Sequence, residues 1–321
     1  MIKFLKAIKR MVGKPYRKMQ GAYIKNKQAR DYYHMSREKL VSKVFKEGMG
    51  YYPNLDNPQT FNEKVCWMKV NYYNPLAKVC ADKYGVREYL KALGHEDLLI
   101  KQYGVYGSAK QIKIEDLPET PFILKTNHGC GGHLICKDKS KLEQKHLLKV
   151  LGANEKKNIN YATHAQEWVY EHITPMILCE EFLDEDGHSP MDYKIICNNG
   201  KVKFLYVCKR FDCAEGVDHE LTIFDRDFNK LPCTWSRPNL SIELKKPKNY
   251  DKMIALAEEL SKPFPFVRVD FYNINGKLYF GEFTFFPWSG RHPFQPAEYD
   301  KILGDMIELP EKQETPFNYE K

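Results

Sequence analysis

Long apolar runs are missing from this 321-residue chain: no stretch approaches the roughly 18 consecutive apolar residues of a membrane-spanning helix. No signal-peptide pattern opens it, and its nine cysteines are odd in number and lack CxxC spacing. Free thiols in a reducing compartment, the cytoplasm, are therefore expected in preference to a disulfide framework. Internal repeats and tracts rich in Gly/Ser, Gln/Asn or Pro are absent, so no low-complexity linker divides the chain. Neither a Walker sequence nor a Rossmann glycine fingerprint occurs.

Apolar residues are plentiful enough for a substantial core, and Tyr and Phe far outnumber Trp. The net charge of +8 is lopsided. Residues 1–50 hold fourteen Lys/Arg against three Asp/Glu, so the remainder is slightly acidic. Ile2, Leu5, Ile8 and Val12 recur at helical spacing opposite Lys3, Lys6, Lys9 and Arg10. That pattern fits an interfacial helix in peripheral contact with anionic membrane through residues 1–12, and equally a helix packed on its own domain with a solvated basic face. No nucleic-acid reader motif appears, so nucleic acid is not an expected partner.

Up to about residue 95 the pattern is helical, with Thr60 and Glu63 at capping-box spacing. β-rich runs follow: Leu98 to Ile100, Pro121 to Thr126, Leu134 to Cys136, Met176 to Leu183, Tyr193 to Cys197 and Lys201 to Cys208. Lys141 to Leu151, Ala162 to Ile173 and Tyr250 to Leu260 read as helices between them. Elements that cluster rather than alternate indicate α+β lobes.

The sharpest feature is a hairpin from Phe266 to Phe283, whose arms contain Asp270 and Glu282. A two-residue Asn275-Gly276 turn would set Asp270 opposite Gly281 and send Glu282 to the other face. A three-residue Ile274-Asn275-Gly276 loop would set Asp270 opposite Phe280 and Arg268 opposite Glu282, both acids sharing a face. We expect the three-residue loop, which places the acids roughly 7 to 8 Å apart at Cα, within reach of one hard cation such as Mg²⁺. Phe122 to Thr126 delivers Lys125 directly before Asn127-His128-Gly129-Cys130-Gly131-Gly132-His133, a strand and glycine turn suited to a phosphate. His128, Cys130, His133 and Cys136 match no standard zinc spacing. Lys83 and Arg87 are spaced one helical turn apart after Asp82.

In order, these elements resemble the TupA-like branch of the ATP-grasp superfamily, associated with bacterial teichuronopeptide, capsule and other surface polysaccharides. Its landmarks are Phe61-Asn62-Glu63-Lys64, Asp82-Lys83-Tyr84, Leu124 to Gly129, Glu180-Glu181-Phe182-Leu183, Asp192-Tyr193-Lys194, Phe266 to Asp270 and Gly281 to Phe285. The resemblance implies an α+β ATP-grasp fold in which two α+β lobes sandwich ATP. We divide the chain into a basic N-terminal helical extension (1–75), a first lobe with a glycine lid (76–178), a second lobe with adenine hinge and metal hairpin (179–310) and a tail (311–321). By resemblance Lys83 and Lys125 hold the α- and β-phosphates, Gly129, Gly131 and Gly132 belong to the lid, and Glu180, Glu181, Phe182 and Leu183 form the hinge. Asp184, Glu185 or Asp186 would meet the ribose. Asp192, Lys194 and Arg210 would lie near the γ-phosphate and acyl group. Asp270, Glu282 and Thr284 would be the Mg²⁺ ligands, with Thr284 standing where many superfamily members carry asparagine. Arg268, Arg291 and His292 are candidates for acceptor binding.

The implied activity is that of an ADP-forming carbon–nitrogen ligase, with ATP and Mg²⁺, working through an acyl phosphate. By resemblance the carboxylate is a uronic acid of a glycan or its precursor, and the acceptor an amine or amino acid. A metal-dependent glycosyltransferase is the rival reading, since Asp225-Arg226-Asp227 and Asp184-Glu185-Asp186 are literal DxD matches.

Overall fold

A computed structural model describes residues 35–129, 132–154, 165–185, 190–213 and 216–315, with the backbone alone at 154, 210–213 and 216–219. The basic helix expected at 1–12, Cys130, Gly131, Asp186 and the side chain of Arg210 lie outside the described residues.

Helix α1 (Arg37–Met49) starts at Ser36, whose side chain accepts from Lys39 N, and ends at Gly50 in the left-handed region at φ 84°. Helix α2 (Phe61–Asn71) carries the expected capping box between Thr60 and Glu63. The Glu63 carboxylate also accepts from the backbone N–H of Asn54 and Gln59, which fixes the chain leading in. Phe61, fully buried, is ringed edge-on by Phe204, Trp235, Phe266 and Phe294. Asn62 donates to His292 O and Asp300 Oδ1, and Lys64 donates to the carbonyls of Gly304 and Ile307. The Phe-Asn-Glu-Lys landmark is therefore a clasp between α2 and the segment from His292 to Ile307.

Helices α3 (Pro75–Ala81) and α4 (Gly85–Ala92) follow, with Asp82, Lys83 and Tyr84 in the break between them. Lys83 is consequently not helical as its spacing suggested. Asp82 Oδ1 accepts from Tyr84 N and from Asn127 Nδ2, which turns the chain there.

Strands β1 (Gln102–Tyr106), β2 (Phe122–Thr126), β3 (Leu134–Cys136) and β4 (Ile177–Glu181) form an antiparallel sheet in the order β1-β4-β2-β3. Helix α5 (Gln144–Asn154) packs against β2 and β3 and closes the smaller of the two apolar cores found among the described residues. Strands β5 (Asp192–Asn198), β6 (Lys201–Cys213), β7 (Gly216–Asp225), β9 (Phe266–Ile274) and β10 (Lys277–Thr284) form a second antiparallel sheet, ordered β10-β9-β5-β6-β7. Its apolar face, including Ile195, Leu205, Val207, Val267, Val269, Phe271 and Phe283, lies in the larger core with helix α6 (Tyr250–Ser261). A short ribbon pairs β8 (Thr234–Trp235) with β11 (Phe294–Gln295), and helix α7 (Glu298–Asp305) rests on β11 and α2. The larger core also takes residues from α1 to α4, so Val86, Tyr89 and Leu90, expected with the first lobe, pack with the second sheet.

Three local expectations differ. Leu98 to Ile100 is not a strand: a 3₁₀ turn at Glu96–Leu98 precedes a strand that begins at Gln102. The described part of the expected helix from Ala162 to Ile173 is irregular, with Gln166 at φ 55° and His172 at φ 66° around a 3₁₀ turn at Trp168–Tyr170. Here Lys69 takes the Ala165 carbonyl and Arg37 the Gln166 carbonyl, so backbone acceptors serve side chains from other helices. The third is the hairpin. Lys277 pairs with Ile274 and Phe280 with Phe271, the register of a two-residue turn with Asn275 at φ 50° and Gly276 at φ 81°. Beyond Phe280 the register slips by one residue, and Phe283 pairs with Val269 and Thr284 with Arg268. Gly281 and Glu282 together oppose Asp270 in a β-bulge. The expected three-residue loop is thus replaced by a tight turn plus a bulge, and the acids still share a face. The extra residue rotates Glu282 away from the apolar side, leaving that side to Phe280 and Phe283.

Candidate active site

Strand alternation puts Arg268 and Asp270 of β9 and Asp192 and Lys194 of β5 on the face opposite α6, and Lys194 stands directly beside Asp270 in the ladder. Lys194 Nζ lies 2.5 Å from Asp270 Oδ2 and 2.7 Å from Asp192 Oδ2. Arg268 donates to Asp270 through Nε at 2.6 Å and Nη2 at 2.7 Å, to the Tyr206 hydroxyl through Nη1 at 2.9 Å, and to Glu282 Oε1 at 3.2 Å. Thr284 Oγ1 donates to the same Glu282 oxygen at 3.3 Å. Arg268 is therefore buried within the cluster and bridges both acids, rather than standing out as an acceptor-binding surface cation.

Burial would strip the proton from Lys194, but Asp192 and Asp270 outweigh it and hold the pKa above the usual lysine value. Burial likewise opposes charge on Arg268, while Asp270, Tyr206 and Glu282 hold its pKa well above the ordinary value. Burial lifts the Asp270 pKa, opposed by Arg268 and then Lys194. Removing Lys194, Arg268 or Asp270, whose side chains are buried, would leave a buried charge unmatched.

Lys83 comes to this face from the break between α3 and α4. Its Nζ donates to the Gly129 carbonyl at 2.9 Å and lies 3.3 Å from Glu282 Oε2. Asn127, fully buried, fixes this approach: its carbonyl accepts from Lys83 N, its Nδ2 donates to Asp82 and to Thr174 O, and its Oδ1 accepts from Met176 N. Lys125, on β2, lies 2.5 Å from Glu180 of β4, which also pairs with Arg87 at 3.5 Å. Glu180 is buried and its carboxylate underpins Lys125. The N–H groups of Glu181 and Phe182 donate to the carbonyls of Lys101 and Pro121, and Lys137 lies 5.6 Å over the Phe182 ring. A Cβ on Gly129 would meet Thr126 Oγ1 at 3.9 Å, an ordinary contact, and Gly132 adopts φ 69°.

Sequence reasoning gave no role to Asn127, Tyr206 or Arg87. Asn127 lies within a landmark, but nothing local reveals that it joins two segments. Tyr206 looks like any strand aromatic. Asp225, in the rival DxD triplet, accepts from Asp227 N, Asn229 N and Asn229 Nδ2, so it closes its own turn.

The oxygen set fits magnesium. Two carboxylates and a hydroxyl meet at Asp270, Glu282 and Thr284, and no cage of three His, Cys, Asp or Glu occurs among the described residues. Magnesium uses one or two protein carboxylates and leaves its other positions to water and phosphate oxygens. Lys83 and Lys125 retain side-chain exposures of 17% and 20%, against 9% for Lys194, which leaves them reachable by a ligand.

Two antiparallel α+β lobes, one offering Lys125 and a glycine turn and the other a face of acids approached by Lys83, are the architecture of an ATP-grasp enzyme. The chain belongs to the TupA-like ATP-grasp family, whose model matches residues 63–308. Solved structures similar to the chain include the D-alanine–D-alanine ligase of Bacillus anthracis, at 17% identity and TM-score 0.43 over 75% of this chain and 72% of that one. That of Helicobacter pylori gives 14% and 0.42 over 79% and 68%. The ATP-grasp ligase PsnB, complexed with a minimal precursor, gives 13% and 0.40 over 76% and 66%. No curated protein matches the chain.

Proposed function

We propose that this enzyme uses magnesium-ATP to join the carboxylate of a uronic acid, in a surface polysaccharide or its precursor, to an amine or amino acid. The observation that carries the reading is the meeting of Lys83 with Glu282, which brings a candidate phosphate-holding cation against a candidate metal-binding acid. Within the site Lys194, Arg268 and Lys83 offset Asp192, Asp270 and Glu282. With magnesium-ATP bound, Asp270, Glu282 and Thr284 would turn to the cation while Lys83 and Lys125 turn to phosphate oxygens. The exchange keeps every charge matched.

Bound magnesium would neutralise the triphosphate and help align it for transfer. Lys83 and Lys125 hold the phosphates in place, and Lys194 and Arg268 position Asp270 and Glu282. The substrate carboxylate oxygen attacks the γ-phosphorus, the bond to the bridging oxygen breaks, and ADP leaves. The amine nitrogen then attacks the acyl carbon, phosphate departs with the C–O electron pair, and the ammonium proton is lost to give the amide. Arg210, at the end of β6, belongs near the transferred group in this reading. Glu181, Phe182 and Leu183 would lie along adenine, and Gly129, Gly131 and Gly132 would exclude water from the acyl phosphate.

Incubation with ATP, magnesium, a panel of uronates and a panel of amino acids should yield ADP and an amide mass. AMP in place of ADP would mean adenylation and overturn the reading. We further propose that the enzyme works in the cytoplasm, at the inner membrane face, where the basic residues 1–12 meet anionic lipid. That reading is motivated by the concentration of Lys and Arg in the first fifty residues. Removal of residues 1–12 should release the protein from anionic vesicles in a sedimentation assay; unchanged sedimentation would dismiss it.

A further inference from the structure

Beside the acid–base cluster stands a wall that carries a cation with no anion beside it among the described residues. From Arg268 the polar face runs to Tyr206, whose ring packs edge-on against Trp235 at 5.4 Å, and Trp235 leans on Trp288 at 6.3 Å. The half-buried Trp288 ring lies 4.5 Å from that of His292, and the Arg237 guanidinium lies 5.8 Å from the Trp288 ring centre. Arg237 donates through Nη1 to the Ser236 carbonyl at 3.2 Å. Among the described residues, however, its Nε is buried without a hydrogen-bond partner and Arg237 forms no ion pair. A desolvated guanidinium N–H lacking an acceptor is unfavourable, and a planar fork of donors matches a carboxylate. The local field is positive: burial, Arg291 and Arg237 push the His292 pKa down to about 4.

The backbone of this wall is strained and held from below. Ser236, Trp288 and Ser289, none of them glycine, adopt φ of 55°, 50° and 57°, conformations that persist only where surroundings over-determine them. The fully buried Lys69 donates to Ser289 O at 2.9 Å and Ser289 Oγ at 2.6 Å. A Cβ on Gly290 would meet Asn62 O at 2.9 Å, so the turn is pressed onto α2. Trp235 Nε1 and Asn62 Nδ2 both donate to the His292 carbonyl. Such a scaffold fixes the Trp288 ring next to an under-satisfied arginine.

We propose that Arg237 and Trp288 form the subsite for the acid substrate: the guanidinium fork pairs with a carboxylate, and the indole face supports the apolar face of the saturated ring that bears it. The uronate of the proposed function has this shape. The inference rests on the ligase reading for the carboxylate's fate but not for its binding.

Calorimetry on the full chain with magnesium-ADP, titrated with glucuronate, galacturonate, glucose and sodium sulfate, tests it. The wild type should bind a uronate but neither glucose nor sulfate. Arg237→Gln should weaken uronate binding at least tenfold, Arg237→Lys should weaken it too because the fork is lost, and Trp288→Leu should do the same, all with unchanged magnesium-ADP affinity. Uronate binding that survives Arg237→Gln, that glucose or sulfate matches, or that the wild type lacks would overturn the subsite. Should Arg237→Gln also lose magnesium-ADP binding, and with it the fold, Arg237→Lys decides. Failure of the wild type to bind magnesium-ADP would instead count against the ligase reading, while the uronate titration still decides the subsite.

Discussion

The two sheets present charge in different ways. In the first, β2 alternates without interruption: Phe122, Leu124 and Thr126 are buried, while Ile123 and Lys125 are half-buried. Lys125 therefore faces its cleft by simple periodicity and meets one acid from the adjacent strand. In the second, β10 departs from alternation at Gly281 and Glu282, and only that departure brings Glu282 beside Asp270. A regular strand delivers one charged side chain wherever the pleat allows, whereas two convergent acids above a closely packed apolar face require a break in the ladder. Breaking the pattern also demands compensation. The second sheet gathers Lys194, Arg268 and Lys83 around its acids, whereas Lys125 and Arg87 suffice for the single buried Glu180.

Three substitutions sharpen this contrast. The largest effect is expected from Glu282→Gln, which keeps the bulge and the shape but removes the charge: ADP formation should fall about a thousandfold while the unfolding midpoint hardly moves. Undiminished turnover would remove Glu282 from the metal site. Next comes a pair of lysines. Lys194→Met leaves Asp192 and Asp270 buried with one cation fewer and should cost about 3 to 5 kcal/mol in urea unfolding. Lys125→Met, in the regular sheet with Arg87 still beside Glu180, should cost about 1 kcal/mol and act mainly by weakening magnesium-ATP binding. Equal destabilisation by both would show that the compensated cluster is no more demanding than an ordinary strand pair.

The smallest effect concerns pH. With a folded pKa of about 4 against 6.5 unfolded, His292 takes up its proton more readily in the unfolded chain. It therefore erodes stability as pH falls through 6.5 towards 4, and its slope fades within about one pH unit above 6.5. His292→Gln should flatten that part of the melting-temperature profile relative to wild type; parallel profiles would contradict the burial and the positive field assigned to it.

Much of the site could be read from the chain. The helix cap at Thr60 and Glu63, strand β3 at Leu134–Cys136, α6 and the strand carrying Lys125 follow from local chemistry and period. The hairpin was recognisable, but its register was not. Asn275-Gly276 favours a tight turn, and the bulge that reconciles this turn with a shared acid face has a faint trace in Phe280 and Phe283, three apart and both buried. Such spacing violates strand alternation unless a residue is extra. Lys83 was misplaced on a helix because Asp82 and Asn127, 45 residues apart, break the helix together. The segment around Trp168 failed similarly: its local pattern is helical, but buried cations from α1 and α2 take its carbonyls.

The sequence alone therefore determined the types of group available, the elements that carry most of them, and the family, because these depend on neighbouring residues and their order. Tertiary structure decided which groups face one another. The approach of Lys83 to Glu282, the burial of Arg268 between two acids and the unpaired Nε of Arg237 each arise where distant segments are packed together. Burial is what makes these placements matter, since charges taken from water must find partners wherever the fold brings them.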